Sequence, residues 1–186
     1  TFCGDDGDPI YAKQFIEIVE WIKTVNPDIQ LLIITNGSYK TADWWHRLAC
    51  VLNENDEVHW SLDGWNQDSN SKYRVNCDWA SIMLGIITFR VYNKTTYTVV
   101  ASIAFRFNEN NLQDIKQIAT DNNFDCWQLT KSTKFGSKYP GAYGTDDLLE
   151  PLDPDLVAAG HRFERTQYPL SDKTRPGSDL KKLFWQ

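Results

Sequence analysis

Polar residues that could bind a small molecule recur directly after hydrophobic segments of the chain. Asp8 lies in a glycine-containing turn, Asn36 follows the apolar run at residues 30–34, and Asp63 follows the run at residues 57–62. Glycine lets the backbone approach a ligand closely, and carboxylate and amide groups can bind ammonium or hydroxyl groups. If the runs are strands of a parallel sheet, these residues share the edge where such folds bind ligands. The sequence therefore predicts one shared ligand site.

Each of these residues also has a purely structural interpretation. Asp8 can cap the helix that follows it, and Asn36 precedes a glycine, as in a tight turn. Ser61 and Asp63 are two residues apart, so they point to the same side of an extended strand. Together they can offer a hydroxyl and a carboxylate to a sugar, or they can simply form a turn. Metal binding is not predicted at Asp8, because its acidic turn lacks EF-hand spacing.

An arginine and an asparagine extend the predicted site. Arg74 precedes a predicted helix, where it is either an ordinary surface residue or the bidentate partner of a ligand carboxylate. Asn108 ends a later strand and can line the site or cap the next helix. The histidines His46, His59 and His161 share no strand exit with a catalytic partner, so we predict structural roles for them.

Hydrophobic periodicity predicts alternating strands and helices. Strands are predicted at residues 2–3, 30–34, 57–62, 97–105 and 126–130, and helices at residues 11–25, 41–52, 78–92 and 112–122. This order predicts an α/β fold with right-handed crossovers and a parallel sheet. Residues 136–186 contain five of the seven prolines and no long periodic stretch. We therefore predict an irregular C-terminal extension or linker after a folded domain at residues 1–135.

Composition excludes several classes of partner. The 186 residues carry a net charge of −6, which argues against a nucleic-acid surface and against docking to anionic lipid. No apolar run approaches the roughly 18 residues of a membrane span. The four cysteines are isolated from one another, which predicts no metal ligands in this chain and suits the reducing cytoplasm. The chain opens on Thr1 and the tail of a strand, so we expect that an N-terminal part of the fold is missing.

Five segments resemble the motifs of radical S-adenosylmethionine (radical SAM) enzymes, in the right order. The turn at residues 4–9 is similar to their GGEP-like motif, residues 34–37 to "TNG" on the third strand, and residues 60–64 to "S-x-DG" on the fourth. Residues 73–74 match a following "YR", and residues 105–110 resemble the fifth-strand exit of members that modify peptides or cofactors. The resemblance covers residues 1–138.

The resemblance implies a role for each matching position. It places the methionine ammonium of S-adenosylmethionine on the turn, the methionyl carboxylate on the arginine, and the ribose or carboxylate on the fourth strand. The implied cofactor-binding residues are Gly7, Asp8, Pro9, Thr35, Asn36, Ser61, Asp63, Arg74 and Asn108. Asp8 stands where the family usually has glutamate, which is longer by one methylene.

For this chain, the resemblance implies a parallel-sheet, open (βα)6-type partial barrel that lacks its first strand–helix unit. The intact enzyme would bind S-adenosylmethionine and a [4Fe–4S] cluster, and would generate a 5′-deoxyadenosyl radical that modifies a peptide or small-molecule substrate. The family's CxxxCxxC cluster motif is absent from this chain, so we expect this fragment alone to be inactive. An electron donor is a further implied partner. Two alternatives stay open: a non-radical nucleotide- or sugar-binding α/β protein, and a barrel hydrolase with Asp8 and Asp63 as its acid/base pair.

Overall fold

A single five-stranded sheet, mostly parallel and not closed into a barrel, organises the protein. The computed structural model describes residues 1–3, 7–133, 135, 149–159 and 163–176. The strands lie side by side in chain order: β1 (Leu32–Thr35), β2 (Glu57–Ser61), β3 (Tyr97–Ile103), β4 (Cys126–Ser132) and β5 (Phe163–Pro169). The first four pair in parallel, and β5 pairs antiparallel with β4.

Helices connect the parallel strands, as the alternating pattern predicts. They are α1 (Phe15–Val25), α2 (Ala42–Val51), α3 (Gln67–Asn70), α4 (Trp79–Tyr92) and α5 (Leu112–Asp121), with short 3₁₀ helices at Pro9–Tyr11 and Pro154–Leu156. The hydroxyl of Thr41 accepts a hydrogen bond from the Trp44 amide and so fixes the start of α2. The segment predicted as one helix at residues 11–25 is a 3₁₀ turn followed by α1, because Asp8 and Pro9 start the 3₁₀ turn early.

The core lies between the sheet and its helices. One set of alternate strand residues, including Ile33, Trp60 and Val100, is fully buried there. Trp60 stacks on Trp45 of α2 at 5.3 Å between ring centroids, and Phe89 of α4 meets the Trp60 ring edge-on at 5.4 Å. The other set of alternate residues faces a cavity on the opposite side of the sheet. One sheet face therefore packs against the helices, and the other is open.

Two features of the sheet differ from the sequence-based expectation. Phe2, predicted to lie in a first strand, forms only a single parallel bridge with Ile33. β5 lies in the segment predicted to be irregular, and it extends the sheet with an antiparallel strand. The residues of β5 are exposed or half-buried and the strand ends at Pro169. It therefore lacks the buried apolar run from which the other strands were predicted.

The segment after β5 runs across the amino ends of the strands. The Leu170 amide donates to the Asp125 carbonyl, and Lys173 reaches the same residue's carboxylate at 3.1 Å. Arg175 then pairs with Glu57 at the start of β2 at 2.8 Å. These contacts fasten the C-terminal segment to the end of the sheet opposite the predicted site.

Candidate functional site

Asp8 joins the first turn to the end of β1. One of its carboxylate oxygens accepts from the Ile10 amide and so caps the 3₁₀ turn. The other accepts from the Thr35 hydroxyl at 2.9 Å and from the Asn36 amide at 2.5 Å. Both oxygens are thus used within the protein. Thr35 is 2% exposed and also accepts from the Gly37 amide, so it supports the loop and does not line a cavity.

Asp63 and Arg74 form an ion pair at the exit of β2. Asp63 is fully buried, and its two oxygens accept from the Arg74 Nε and from the Ile103 amide, each at 2.7 Å. The arginine side chain is 26% exposed, and its two Nη groups donate to no described residue. Burial acts to lower the pKa of Arg74, but the charge and hydrogen bond of Asp63, together with the Tyr73 and Asp8 side chains, outweigh it and raise that pKa. Arg74 is therefore a permanent cation whose outer edge is open to a ligand.

The buried carboxylate changes the role that the resemblance implies for Asp63. With no exposure and both oxygens bonded, it cannot contact a ribose, and instead orients Arg74. Asn108 is also fully buried and ties the Asp63 carbonyl to the Ile103 carbonyl. The Asp8 and Asp63 carboxylates are both engaged by backbone amides, which argues against a hydrolase that uses them as an acid/base pair.

A cavity of about 520 Å³ opens at the carboxyl edge of the sheet. We call it the carboxyl-edge cavity; its lining residues include Tyr11, Asn36, Tyr73, Arg74 and Cys77. The Asn36 side-chain oxygen accepts from the Ser38 amide and the Tyr11 hydroxyl, which leaves its amide nitrogen without a protein acceptor in the described chain. Burial raises the pKa of Tyr11, so its hydroxyl stays protonated as a donor.

A second cavity, also of about 520 Å³, lies against the open face of the sheet. We call it the sheet-face cavity; it is lined by alternate strand residues, among them Ser61, Gln128 and Thr130, and by Arg74. Arg74 thus borders both cavities. Of the nine residues predicted from sequence, Asn36 and Arg74 line the carboxyl-edge cavity, and Arg74 and Ser61 line the sheet-face cavity. Asp8, Thr35, Asp63 and Asn108 are hydrogen-bonded within the protein, and Gly7 and Pro9 line neither cavity.

A polar cluster borders the sheet-face cavity, and two of its members, His59 and Arg175, line that cavity. His59 Nε2 and the Glu57 carboxylate are 3.0 Å apart, and Arg175 donates to the same carboxylate at 2.8 Å. Burial lowers the pKa of His59 although Glu57 opposes the shift. Burial alone would raise the pKa of Glu57, but the hydrogen bonds of His59 and Arg175 lower it overall. Sequence reasoning missed this cluster because Arg175 comes from the segment predicted to be irregular.

Two residues of the α4 region have partners that their sequence neighbourhood does not indicate. Cys77, just before α4, lines the carboxyl-edge cavity, with its thiol 3.4 Å from the Asn70 amide nitrogen. Arg90 of α4 is 8% exposed and donates to the Asn123 carbonyl. Within the described ranges, no group of three or more metal-binding side chains converges, and no helix is long and apolar enough to cross a bilayer.

Comparisons with known proteins give two partial likenesses. No protein-family model matches the chain. It is 25% identical over 190 residues to the peroxisomal targeting signal receptor of Candida glabrata, which covers 95% of this chain and 31% of that protein. It also resembles TYW1, a radical SAM enzyme solved with a lysine-pyruvate adduct bound, with a TM-score of 0.48 and 16% identity over 67% of this chain and 38% of that chain. The chain therefore spans well under half of either protein, and neither likeness is strong enough to assign it to a family.

Proposed function

We propose that this chain is part of a radical SAM enzyme and that its carboxyl-edge cavity binds S-adenosylmethionine. One observation carries the proposal: Arg74 lines that cavity with its two Nη groups open, while Asp63 holds its Nε at 2.7 Å. A guanidinium fixed in this way presents two parallel donors, which match the geometry of a carboxylate. The described residues of the motif-like segments lie at the carboxyl end of the sheet, with Asp8 bonded to the end of β1 and Arg74 to Asp63 after β2, and they supply the second line of support.

The residues present fit the polar groups of the cofactor's methionine end. The carboxylate fits Arg74, and the Asn36 side-chain amide is available as a further donor. The Asp8 carboxylate is already bonded to the protein, so an ammonium group would need a backbone acceptor. Following the resemblance, we assign that role to the Gly7 carbonyl, which accepts from no described residue; Gly7 itself lies outside the lining of the carboxyl-edge cavity.

This chain's own share in the reaction is binding and orientation. Asp63 keeps Arg74 in place, Asp8 fixes the loop that carries Asn36, and the two cavities meet at Arg74. When bound beside a [4Fe–4S] cluster, S-adenosylmethionine supplies radical chemistry in this class of enzyme. We propose that the cluster ligands belong to another part of the whole protein, together with the contacts to an electron donor and a peptide or small-molecule substrate.

Binding of S-adenosylmethionine to the 186-residue chain tests the proposal by isothermal titration calorimetry. Arg74→Ala should weaken binding about 10- to 100-fold, the range expected for hydrogen bonds to a charged group. Arg47→Ala is the matched control, because Arg47 is half exposed on α2 and pairs only with Glu17 and Glu20 of α1 among the described residues.

Two results would contradict the proposal. Equal affinities of the wild type and Arg74→Ala would remove Arg74 from the site. Binding of adenosine monophosphate without binding of S-adenosylmethionine would favour the alternative of a non-radical nucleotide-binding protein.

A further inference from the structure

The sheet-face cavity is lined by polar residues that the proposed function does not use, among them Arg165, Thr130 and Gln128. Arg165 of β5 pairs in register with Thr130 of β4, which pairs with Ile103 of β3. The Ile103 amide is bonded to Asp63, the carboxylate that holds Arg74. Neighbouring strands lie about 4.8 Å apart, so β5, which carries Arg165, is about 10 Å from β3, whose Ile103 amide shares Asp63 with Arg74. Arg74 itself lies in the loop after α3, and both arginines line the sheet-face cavity.

The cavity is positively charged although the protein as a whole is acidic. Three arginines line it: Arg74, Arg165 and Arg175. Asp63 neutralises the first and Glu57 neutralises the third. In the described chain, Arg165 has no carboxylate within 4.0 Å, so one positive charge is left over. Burial also lowers the pKa of the nearby His59. This favours its neutral ring, which adds no further positive charge.

Hydrogen-bonding groups without protein partners lie beside this charge. The Ser61 and Thr130 hydroxyls line the cavity, and neither bonds to a described residue. Gln128, in the same wall, bonds only weakly to Gln167 across β4 and β5, at 3.4 Å. Groups of this kind at a buried surface are normally satisfied by a ligand or by water. A volume of about 520 Å³ lies within the usual range for small-molecule sites.

We propose that the sheet-face cavity binds a small anionic molecule whose carboxylate or phosphate group contacts Arg165, with Thr130 and Gln128 as hydrogen-bonding partners. This goes beyond the proposed function because it adds a second ligand. It is independent of S-adenosylmethionine binding, since Arg165, Thr130 and Gln128 do not line the carboxyl-edge cavity. Aliphatic residues in the other wall, including Leu32 and Ile34, suit a ligand with an apolar part beside its anionic group.

The test is a nuclear magnetic resonance titration of the ¹⁵N-labelled chain, at constant ionic strength, with inorganic phosphate and, separately, with succinate. Saturable shifts of the Thr130 and Gln128 amide signals are expected with at least one probe, and the preferred probe distinguishes a phosphate from a carboxylate ligand. Arg165→Gln should weaken that binding about tenfold or more, as expected for the loss of a charge-assisted contact. Arg47→Gln, an exposed arginine of α2, should bind as the wild type does.

The outcomes separate this inference from the proposed function. No saturable shift with either probe overturns the anion site, and so does equal binding by Arg165→Gln and the wild type. Because Arg165 lies outside the carboxyl-edge cavity, Arg165→Gln should keep the wild-type affinity for S-adenosylmethionine. Phosphate or succinate binding that depends on Arg165, in a chain that does not bind S-adenosylmethionine, supports the anion site and refutes the proposed function.

Discussion

The ion pair between Asp63 and Arg74 should couple the stability of the sheet to ligand binding. The perturbation is a double-mutant cycle of Asp63→Ala, Arg74→Ala and the two together. Asp63 is fully buried and bonds to Arg74 and to the Ile103 amide. The cycle therefore separates the ion pair from the bond that Asp63 makes to β3.

The magnitude follows from burial. Removing one partner of a buried ion pair costs about 3–5 kcal/mol. Because the Arg74 side chain is 26% exposed, water screens part of its charge, and we expect the lower value of about 3 kcal/mol for each single variant. The double variant has no stranded charge but still lacks the acceptor for Ile103, so we expect a loss of about 4 kcal/mol. The coupling energy is then about 2 kcal/mol, within the range for residues in contact.

Urea unfolding, followed by tryptophan fluorescence and far-ultraviolet circular dichroism, measures the four free energies of unfolding. Affinity for S-adenosylmethionine gives a second readout: Asp63→Ala should weaken binding because Arg74 loses its orientation, and the double variant should bind no more weakly than Arg74→Ala. A coupling energy below about 0.5 kcal/mol would show that the pair is not energetically linked. Unchanged affinity in Asp63→Ala would refute the positioning role.

Three further changes test other parts of the structure. Gly64→Ala should destabilise the protein by about 1–3 kcal/mol and weaken S-adenosylmethionine binding, because its Cβ would lie 2.2 Å from the Asn70 backbone nitrogen; wild-type stability in urea would contradict this. Asp56→Ala should lower the free energy of unfolding by about 3–5 kcal/mol, because two backbone amides and the buried Lys23 lose the Asp56 carboxylate as their partner. A decrease below about 1 kcal/mol would contradict a buried ion pair between Asp56 and Lys23. His59 binds fewer protons in the folded than in the unfolded state between its lowered pKa and 6.5, so stability falls as pH drops through that window. His59→Gln should flatten this slope in urea titrations at several pH values, whereas the exposed His46→Gln should not.

Local sequence patterns were sufficient to predict the parallel part of the sheet. The run at residues 30–34 became β1, and the alternation of strands and helices gave the correct order through β4. The same reasoning predicted that residues following parallel strands meet at one edge of the sheet. Asn36 and Arg74 do line one cavity there.

What the sequence did not reveal depends on contacts between distant segments. Nothing near Asp63 indicates that both its oxygens are bonded, since Ile103 is 40 residues away. β5 was missed because its residues are exposed or half-buried and contain no apolar run, and its place in the sheet depends on pairing with β4. Arg175 meets Glu57 across 118 residues, so the polar cluster in the sheet-face cavity has no local signature. The sequence predicted the type of most elements, but not which distant side chains they bring into contact.

The buried carboxylates at the two ends of the sheet explain why ligand binding is expected at only one of them. At the amino ends, Asp56 pairs with the buried Lys23, and Asp125 pairs with Lys173, which also donates to the Thr96 carbonyl. Lys23 and Lys173 thus pair with carboxylates of the protein itself, and the C-terminal segment covers the amino ends of the strands. At the carboxyl end, Asp63 uses only the Nε of Arg74 and leaves its outer donors open. Burying a carboxylate requires a partner in both places, but an arginine bonded through its Nε still offers two coplanar Nη donors that match a second carboxylate, a geometry that a lysine ammonium does not have.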